Sequence, residues 1–167
     1  AQRYAAMYIG EDPLAPNWDA GNRMLRSPLN GSHGPRFVTT QTDWDYHRPI
    51  LANYLAPFED IPGTDSSDKL FKVDWTDDET FEQVLAMINA RMTRGDVPLN
   101  LSATSMVTNA YLHTGEEKYR AWVLDYLQRW MDHRDRNGGL MPDNVGPTGL
   151  IGELLDGKWW GGYYGWR

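Results

Sequence analysis

Carboxyl and amide side chains, which can take part in catalysis, occur in two similar loops at residues 95–100 and 139–144. Both loops fit the pattern Gly-x-(Val/Met)-Pro-x-Asn. The first ends on Asn100, and the second ends on Asp143 and Asn144. Carboxyl groups serve as general acids and bases, and amide N–H groups can neutralise a carboxylate by hydrogen bonding. The two loops bracket a pair of predicted helices, and their spacing falls within the 40–47 residues or so at which stacked helical hairpins repeat.

One chemistry open to these residues is the β-elimination of a uronate. It needs a group that neutralises the sugar carboxylate, a base near the C5 proton and an acid for the leaving oxygen. An asparagine amide suits the first role, and tyrosine and histidine side chains suit the other two. The candidates are Asn100 or Asn144 for the carboxylate, and Tyr163 or Tyr164 together with His33 or His47 for the proton transfers.

A second chemistry is glycoside hydrolysis, which uses a pair of carboxyl groups. Asp143, Glu153 and Asp156 lie in one predicted loop, followed by Trp159 and Trp160. The apolar surface of the tryptophans can raise the pKa of a neighbouring carboxyl group and so produce a general acid. Asp143 and Glu153 facing each other across a cleft of about 5–10 Å would favour hydrolysis over elimination.

The last residues of the sequence are rich in aromatic side chains and glycine. The whole chain has eight tryptophans and nine tyrosines, more than a core of this size needs. Exposed aromatic rings in loops are typical of clefts in which sugars stack. We therefore predict a substrate-binding surface built from Trp159, Trp160, Trp166 and Arg167, with Asn100 from the first loop.

Helices must position these loops. Apolar residues at helical spacing predict one helix from about Leu99 to Thr114, ended by Gly115. A second helix begins at Glu116 and Glu117 and carries the strongest apolar stripe of the chain. Its members are Tyr119, Trp122, Val123, Tyr126, Leu127, Trp130 and Met131. We expect this stripe to pack in the core, and His113 and His133 to lie on the helix surface.

Two further helices are predicted upstream. A capping box at Thr76–Glu79 predicts a helix that continues to Gly95. Pro49 to Leu55 is predicted to form a short helix, and residues 1–10 contain the end of another. The predicted organisation is one mainly α-helical domain over residues 1–167. It has a loop-rich part (1–76), a helical core (77–136) and an aromatic cleft loop (137–167).

Composition excludes several classes of function. The net charge is −7 without a basic run, so neither nucleic acid nor an anionic membrane is an expected partner. The chain has no cysteine, and it begins at Ala1 without a signal peptide, as a processed or internal segment would. The segment Asp135–Gly138 resembles the middle of a calcium loop but lacks the first and last ligands. Nucleotide, esterase and zinc-protease motifs are absent, so we expect no cofactor and no metal.

The predicted hairpin and the string Asn-Ala-Tyr-Leu-His-Thr-Gly-Glu-Glu-Lys-Tyr-Arg, residues 109–120, carry a resemblance to a known family. The sequence resembles the six-hairpin (α/α) toroid enzymes, which are polysaccharide lyases and glycoside hydrolases. The resemblance covers residues 77–167 and implies helical hairpins of an incomplete ring, completed by a remaining segment of the protein or by another chain. It also implies a carbohydrate substrate, a secreted or periplasmic bacterial location, and a cleft containing Asp96, Asn100, Asp143 and Asn144.

The expected function is therefore cleavage of a polysaccharide or oligosaccharide. Elimination is preferred to hydrolysis because asparagine, histidine and tyrosine occupy more of the implied cleft positions than a separated acid pair does. A non-catalytic helical-repeat or carbohydrate-binding module is the alternative from another class. In such a module the aromatic side chains would form a platform, and Tyr163, Tyr164, Asn144 and a histidine would not meet in one pocket.

Overall fold

The computed structural model describes residues 1–15, 17–26, 30–31, 34–35, 40–56, 61, 72–91, 95–153 and 156–160. The regular structure of these residues is mainly α-helical, as expected from the sequence. The helices are α1 (Gln2–Tyr8), α2 (Asp78–Arg91), α3 (Ala103–Thr114) and α4 (Glu117–Arg136). The strands are β1 (Trp18–Asp19), β2 (Met24–Leu25), β3 (Asn30–Gly31), β4 (Gly34–Pro35), β5 (Tyr54–Leu55) and β6 (Lys72–Val73).

The strands form three short antiparallel pairs, β1 with β2, β3 with β4 and β5 with β6. Each strand has only two residues. The three pairs therefore join neighbouring loop segments and are too short to form a layer of the fold. In the first pair Trp18 lies opposite Leu25, and Asp19 lies opposite Met24. This pairing closes a short hairpin at residues 18–25. Within the described residues, none of the helices has the length and apolarity needed to cross a bilayer.

The hairpin of α3 and α4 confirms the central prediction from the sequence. Gly115 ends α3 with φ +70°, a left-handed conformation that glycine adopts without strain. α4 begins two residues later. The predicted start of α3 was too early, because Pro98–Ser102 form a 3₁₀ helix and the α-helix begins at Ala103. Leu99, placed on the apolar face by the sequence, is 64% exposed as a result.

The first core is built by one face of α4 against α3, and α1 also packs against α3. Tyr119, Trp122, Tyr126 and Trp130 of the predicted stripe are buried. Trp18 of β1 completes an aromatic cluster, with its ring 5.0 Å from that of Trp122 and 5.6 Å from that of Tyr126. The tryptophans and tyrosines of α4 therefore act in packing, as predicted.

Two details of the α4 prediction are wrong. Leu127 and Met131 lie at the edge of the stripe and are 39% and 38% exposed. His133, predicted to lie on the surface, is only 2% exposed and packs against the ring of Trp130. Its position three residues after Trp130 continues the buried face by one more turn. His113, by contrast, lies on the surface of α3 as predicted.

The second core surrounds α2. Phe81, Val84 and Ile88 of this helix pack with Trp75 and Val97. The predicted capping residue, Thr76, is one residue too early. The side chain of Asp77 accepts a hydrogen bond from the N–H of Thr80, and the helix begins at Asp78.

The segment from Pro49 to Leu55 also differs from its prediction. Residues Arg48–Ile50 form a 3₁₀ helix, and Tyr54–Leu55 form β5, which pairs with β6. A strand partner from a distant part of the chain therefore replaces the predicted short helix.

Candidate functional site

The two loops with the shared pattern meet in the structure. The N–H of Asp96 donates to the carbonyl of Val145 at 2.7 Å, and the N–H of Val145 donates to the carbonyl of Asp96 at 2.8 Å. Val145 also forms a bridge with Ile151, so the second loop folds back on itself beside the first. The segment after Asn144 is thereby fixed to the loop that precedes α3.

The side chain of Asp96 is the most extensively bonded group at this junction. It is 2% exposed and accepts hydrogen bonds from the N–H groups of Leu25 (3.0 Å) and Val97 (2.9 Å). The Asn100 amide donates to it at 2.8 Å, and the Tyr126 hydroxyl lies 3.0 Å from both of its oxygens. Leu25 and Tyr126 belong to the first core and Val97 belongs to the second, so Asp96 joins the two.

The environment of Asp96 changes its acidity. Burial raises the pKa of Asp96 to about 7, and the surrounding donors oppose this rise by stabilising the carboxylate. Burial and the charge of Asp96 raise the pKa of Tyr126 well above its ordinary value. The hydroxyl group of Tyr126 therefore remains protonated and donates a hydrogen bond to Asp96. This carboxylate is enclosed by the protein, and its position is structural.

The structure assigns Asn100 a role other than the predicted one. Asn100 is 6% exposed, and its amide donates to Asp96. A side chain enclosed in this way cannot reach a sugar without rearranging the Asp96 cluster. The predicted contact between Asn100 and substrate is therefore replaced by a contact that holds the first loop.

Asn144 is also turned inward. It is fully buried, and its amide nitrogen donates to a carboxylate oxygen of Asp143 (2.7 Å) and to the carbonyl of Lys158 (3.3 Å). Both amide hydrogens are used within the protein, so Asn144 has none left to neutralise a uronate. Its contact with Lys158 instead fixes the second loop to the segment that carries the tryptophans.

Asp143 and the tryptophans Trp159 and Trp160 are brought together, as the sequence suggested. The N–H of Asp143 donates to the carbonyl of Trp159 at 3.0 Å, and the side chain of Asp143 is half-buried. The centroids of the Trp159 and Trp160 rings are 5.5 Å apart, and the ring planes are inclined at 66°. Trp160 is 54% exposed. The result is an exposed indole beside an acidic loop, which we call the indole surface (Asp143, Trp159 and Trp160).

The carboxylate of Glu153 is bonded within its own loop. One of its carboxylate oxygens accepts hydrogen bonds from both the backbone N–H and the hydroxyl group of Thr148, each at 2.9 Å. Its side chain lies so close to Gly146 that a Cβ there would be 2.4 Å from it. Glu153 therefore closes the turn at residues 146–153, which indicates a structural role.

Comparison with protein families identifies the group to which the sequence belongs. Residues 1–167 match the family model described as a domain of unknown function, DUF8034. The chain belongs to the DUF8034 family. No curated protein and no solved structure matches it.

Several predicted site residues of this DUF8034 chain lie outside the described residues. They are His33, Tyr163, Tyr164, Trp166 and Arg167. Asp156 is described and exposed, with φ +54°. Within the described parts of the chain, no three histidine or carboxylate side chains are grouped closely enough to hold a metal ion.

A surface opening of the DUF8034 chain, beside α2, is lined by Asp45, Arg48 and Asp78 among others. Arg48 is bonded to the carbonyls of Trp75 (2.7 Å) and Thr76 (2.9 Å) and to Asp78. Its guanidinium group also lies over the ring of Phe81. These contacts connect the 3₁₀ helix to α2. The guanidinium group of Arg48 at this opening is therefore already paired within the protein.

Gly152 of the DUF8034 chain positions the indole surface. Its φ is +68°, and a Cβ would lie 2.6 Å from backbone atoms of Gly157 and Lys158. We expect Gly152→Ala to lower the free energy of unfolding by about 1–3 kcal/mol and to displace Trp159 and Trp160. Urea unfolding and the near-ultraviolet circular dichroism of the tryptophans would measure both effects.

Gly157→Ala is the matched control for this substitution. Gly157 has φ +79°, but nothing lies within 4 Å of a Cβ placed there. This variant should show the cost of the left-handed conformation without a clash. Equal effects of the two substitutions on the tryptophan signal would show that the close approach at Gly152 does not hold the segment in place.

Proposed function

We propose that this DUF8034 chain is part of a carbohydrate-active enzyme that binds a polysaccharide or oligosaccharide at the indole surface. The observation that carries this proposal is the backbone hydrogen bond from the N–H of Asp143 to the carbonyl of Trp159. It fixes a half-buried acidic residue next to the tryptophan pair, of which Trp160 is exposed. An indole face stacks on the apolar face of a sugar ring, and a carboxylate accepts hydrogen bonds from the hydroxyl groups of the sugar. The helical hairpin of α3 and α4 is compatible with one segment of an (α/α) toroid.

The preferred reaction is β-elimination on a uronate-containing glycan. Support for elimination over hydrolysis comes from Glu153, whose carboxylate accepts two hydrogen bonds from Thr148 and closes a turn of the loop. The proposed base and acid are Tyr163 or Tyr164 with His33. In this proposal the rest of the ring comes from a further segment or another chain, and the protein acts outside the cytoplasm.

A non-catalytic carbohydrate-binding module is the second candidate, and the two loop asparagines favour it. Asn100 and Asn144 are both buried and donate within the protein. A binding module needs the exposed ring of Trp160 but neither of these amides. The two candidates therefore share the indole surface and differ in whether the bound glycan is cleaved.

Trp160→Ala tests the indole surface. Removal of a ring that is 54% exposed should leave the fold intact, and we expect it to weaken glycan binding about tenfold or more. Affinity electrophoresis through gels that contain pectin, alginate, hyaluronan or a neutral glucan would measure the change. Tyr46→Ala, at a tyrosine that is 93% exposed elsewhere on the chain, is the matched control. Unchanged migration of Trp160→Ala in a gel that retards the wild type would contradict the proposal.

A further inference from the structure

Near the end of α4, one buried polar atom of Arg129 and one of His133 have no hydrogen-bond partner among the described residues. His133 is 2% exposed, and its Nδ1 makes no hydrogen bond to any described residue. The same is true of the buried Nε of Arg129. Residues four apart on a helix lie on the same face, so the two side chains are neighbours. Buried polar groups are nearly always paired, and two unpaired ones together indicate a missing partner.

The free edge of Arg129 has the shape that binds a carboxylate. Nε and Nη2 form one side of the planar guanidinium group, and two parallel N–H bonds from such an edge match the two oxygens of a carboxylate. Nε is unpaired, and Nη2 makes only a 3.5 Å contact with the carbonyl of Gly149. Both donors are therefore available to a stronger acceptor.

A tight turn covers this edge. The N–H of Gly149 donates to the carbonyl of Gly146 at 2.9 Å, and the N–H of Gly146 donates to the carbonyl of Leu150 at 2.8 Å. A Cβ at Gly149 would lie 3.0 Å from both Nη2 of Arg129 and Oδ1 of Asn22. Glycine is therefore needed where the turn approaches the guanidinium group, and the turn must shift to admit a ligand.

The surrounding charges favour an anion. Arg23 is neutralised by Asp125 (3.0 Å) and Asp132 (3.2 Å), and no described acidic side chain forms an ion pair with Arg129. Burial, followed by the positive charges of Arg136 and Arg23, lowers the pKa of Arg129. Asp132 opposes this lowering, but its carboxylate is bonded to Arg23 and Gln128. Among the described residues, Arg129 therefore has no paired anion of its own.

His133 is available as a neutral hydrogen-bonding group. Burial, followed by the charges of Arg129 and Arg136, lowers its pKa to about 4. The imidazole is therefore uncharged at neutral pH, with one nitrogen that donates and one that accepts. A hydroxyl group next to a carboxylate can bond to such a ring while the carboxylate binds the arginine.

We propose that Arg129 and His133 form a binding site for the carboxylate of an acidic sugar, with the carboxylate on the free edge of Arg129 and a neighbouring hydroxyl on His133. The choice of a sugar acid rests on the proposed function. Arg129 then supplies the neutralisation of the uronate that the sequence assigned to Asn100 or Asn144.

Nuclear magnetic resonance of the His133 imidazole in the full chain tests the site with single sugars. Galacturonate or glucuronate should shift the imidazole resonances in a saturable manner, whereas galactose, acetate and phosphate should not. Arg129→Lys retains the charge but loses the two-pronged edge, and it should weaken uronate binding about tenfold or more. Arg134→Lys is the matched control, because Arg134 lies on the same helix and pairs with Asp135.

Three results would overturn the site. Equal shifts with acetate or phosphate would show a general anion site without sugar recognition. The absence of any shift in the wild type would show that trapped water satisfies the two atoms. Unchanged affinity in Arg129→Lys would exclude the guanidinium edge. Failure of the polysaccharide assays alongside uronate binding here would instead count against the proposed cleavage and leave the site intact.

Discussion

Replacing Asp96 with alanine is expected to lower the free energy of unfolding by about 3–5 kcal/mol, because it leaves buried donors without an acceptor. The N–H groups of Leu25 and Val97 and the amide of Asn100 all point at this carboxylate. All three residues are buried at this junction between the two cores, with exposed fractions of 1%, 2% and 6%. Urea unfolding followed by tryptophan fluorescence measures the loss.

Two further variants determine the cause of this loss. Asp96→Asn preserves the volume and one acceptor oxygen but turns an amide N–H toward a donor, so its cost should be smaller, about 1–3 kcal/mol. Asp45→Ala, at an exposed carboxylate, should change stability by less than about 0.5 kcal/mol. An Asp96→Ala protein as stable as the wild type would show that the hydrogen-bond cluster does not hold the loops together.

Stability should depend on pH through two buried groups with opposite effects. Between pH 4 and 6.5 the unfolded chain protonates His133 and the folded protein does not, so the free energy of unfolding rises with pH by about 3 kcal/mol. Between pH 4 and 7 the folded protein protonates Asp96 and the unfolded chain does not, so stability falls with rising pH by about 4 kcal/mol. In the wild type the two contributions largely cancel.

Single substitutions should separate the two contributions. Asp96→Asn should leave the effect of His133, so the protein loses stability as the pH falls from 6.5 to 4. His133→Gln should leave the effect of Asp96, so the protein gains stability over the same range. His113→Gln, at an exposed histidine, is the control and should behave as the wild type does. Parallel pH profiles for Asp96→Asn and His133→Gln would contradict both pKa shifts.

The sequence predicted the helices well because their determinants are local. The apolar spacing of α4 placed Tyr119, Trp122, Tyr126 and Trp130 in the core, and Gly115 marked the end of α3. The apolar spacing could not show that the buried face of α4 continues to His133. Periodicity identifies a face, but its edges depend on which neighbouring segments cover the helix.

The candidate site was only partly predictable. The shared loop pattern and the tryptophans drew attention to residues 95–100, 139–144 and 159–160, and backbone hydrogen bonds join these segments. The sequence could not show that Asn100 and Asn144 point inward, because their partners, Asp96 and Lys158, are set by tertiary contacts. Arg129 was missed for the same reason, since an unpaired guanidinium edge becomes visible only when the covering turn is placed.

Glycan cleavage is tested most directly by following the ultraviolet absorbance of unsaturated products while the protein is incubated with pectin, alginate and hyaluronan. A reducing-end assay runs in parallel. We predict that absorbance and reducing ends rise together on a uronate polymer, because β-elimination creates a double bond at each new end. New reducing ends without absorbance would replace elimination with hydrolysis and move attention to Asp143, Glu153 and Asp156. No change in either signal, with glycan binding retained by the wild type, would contradict cleavage and leave the carbohydrate-binding module.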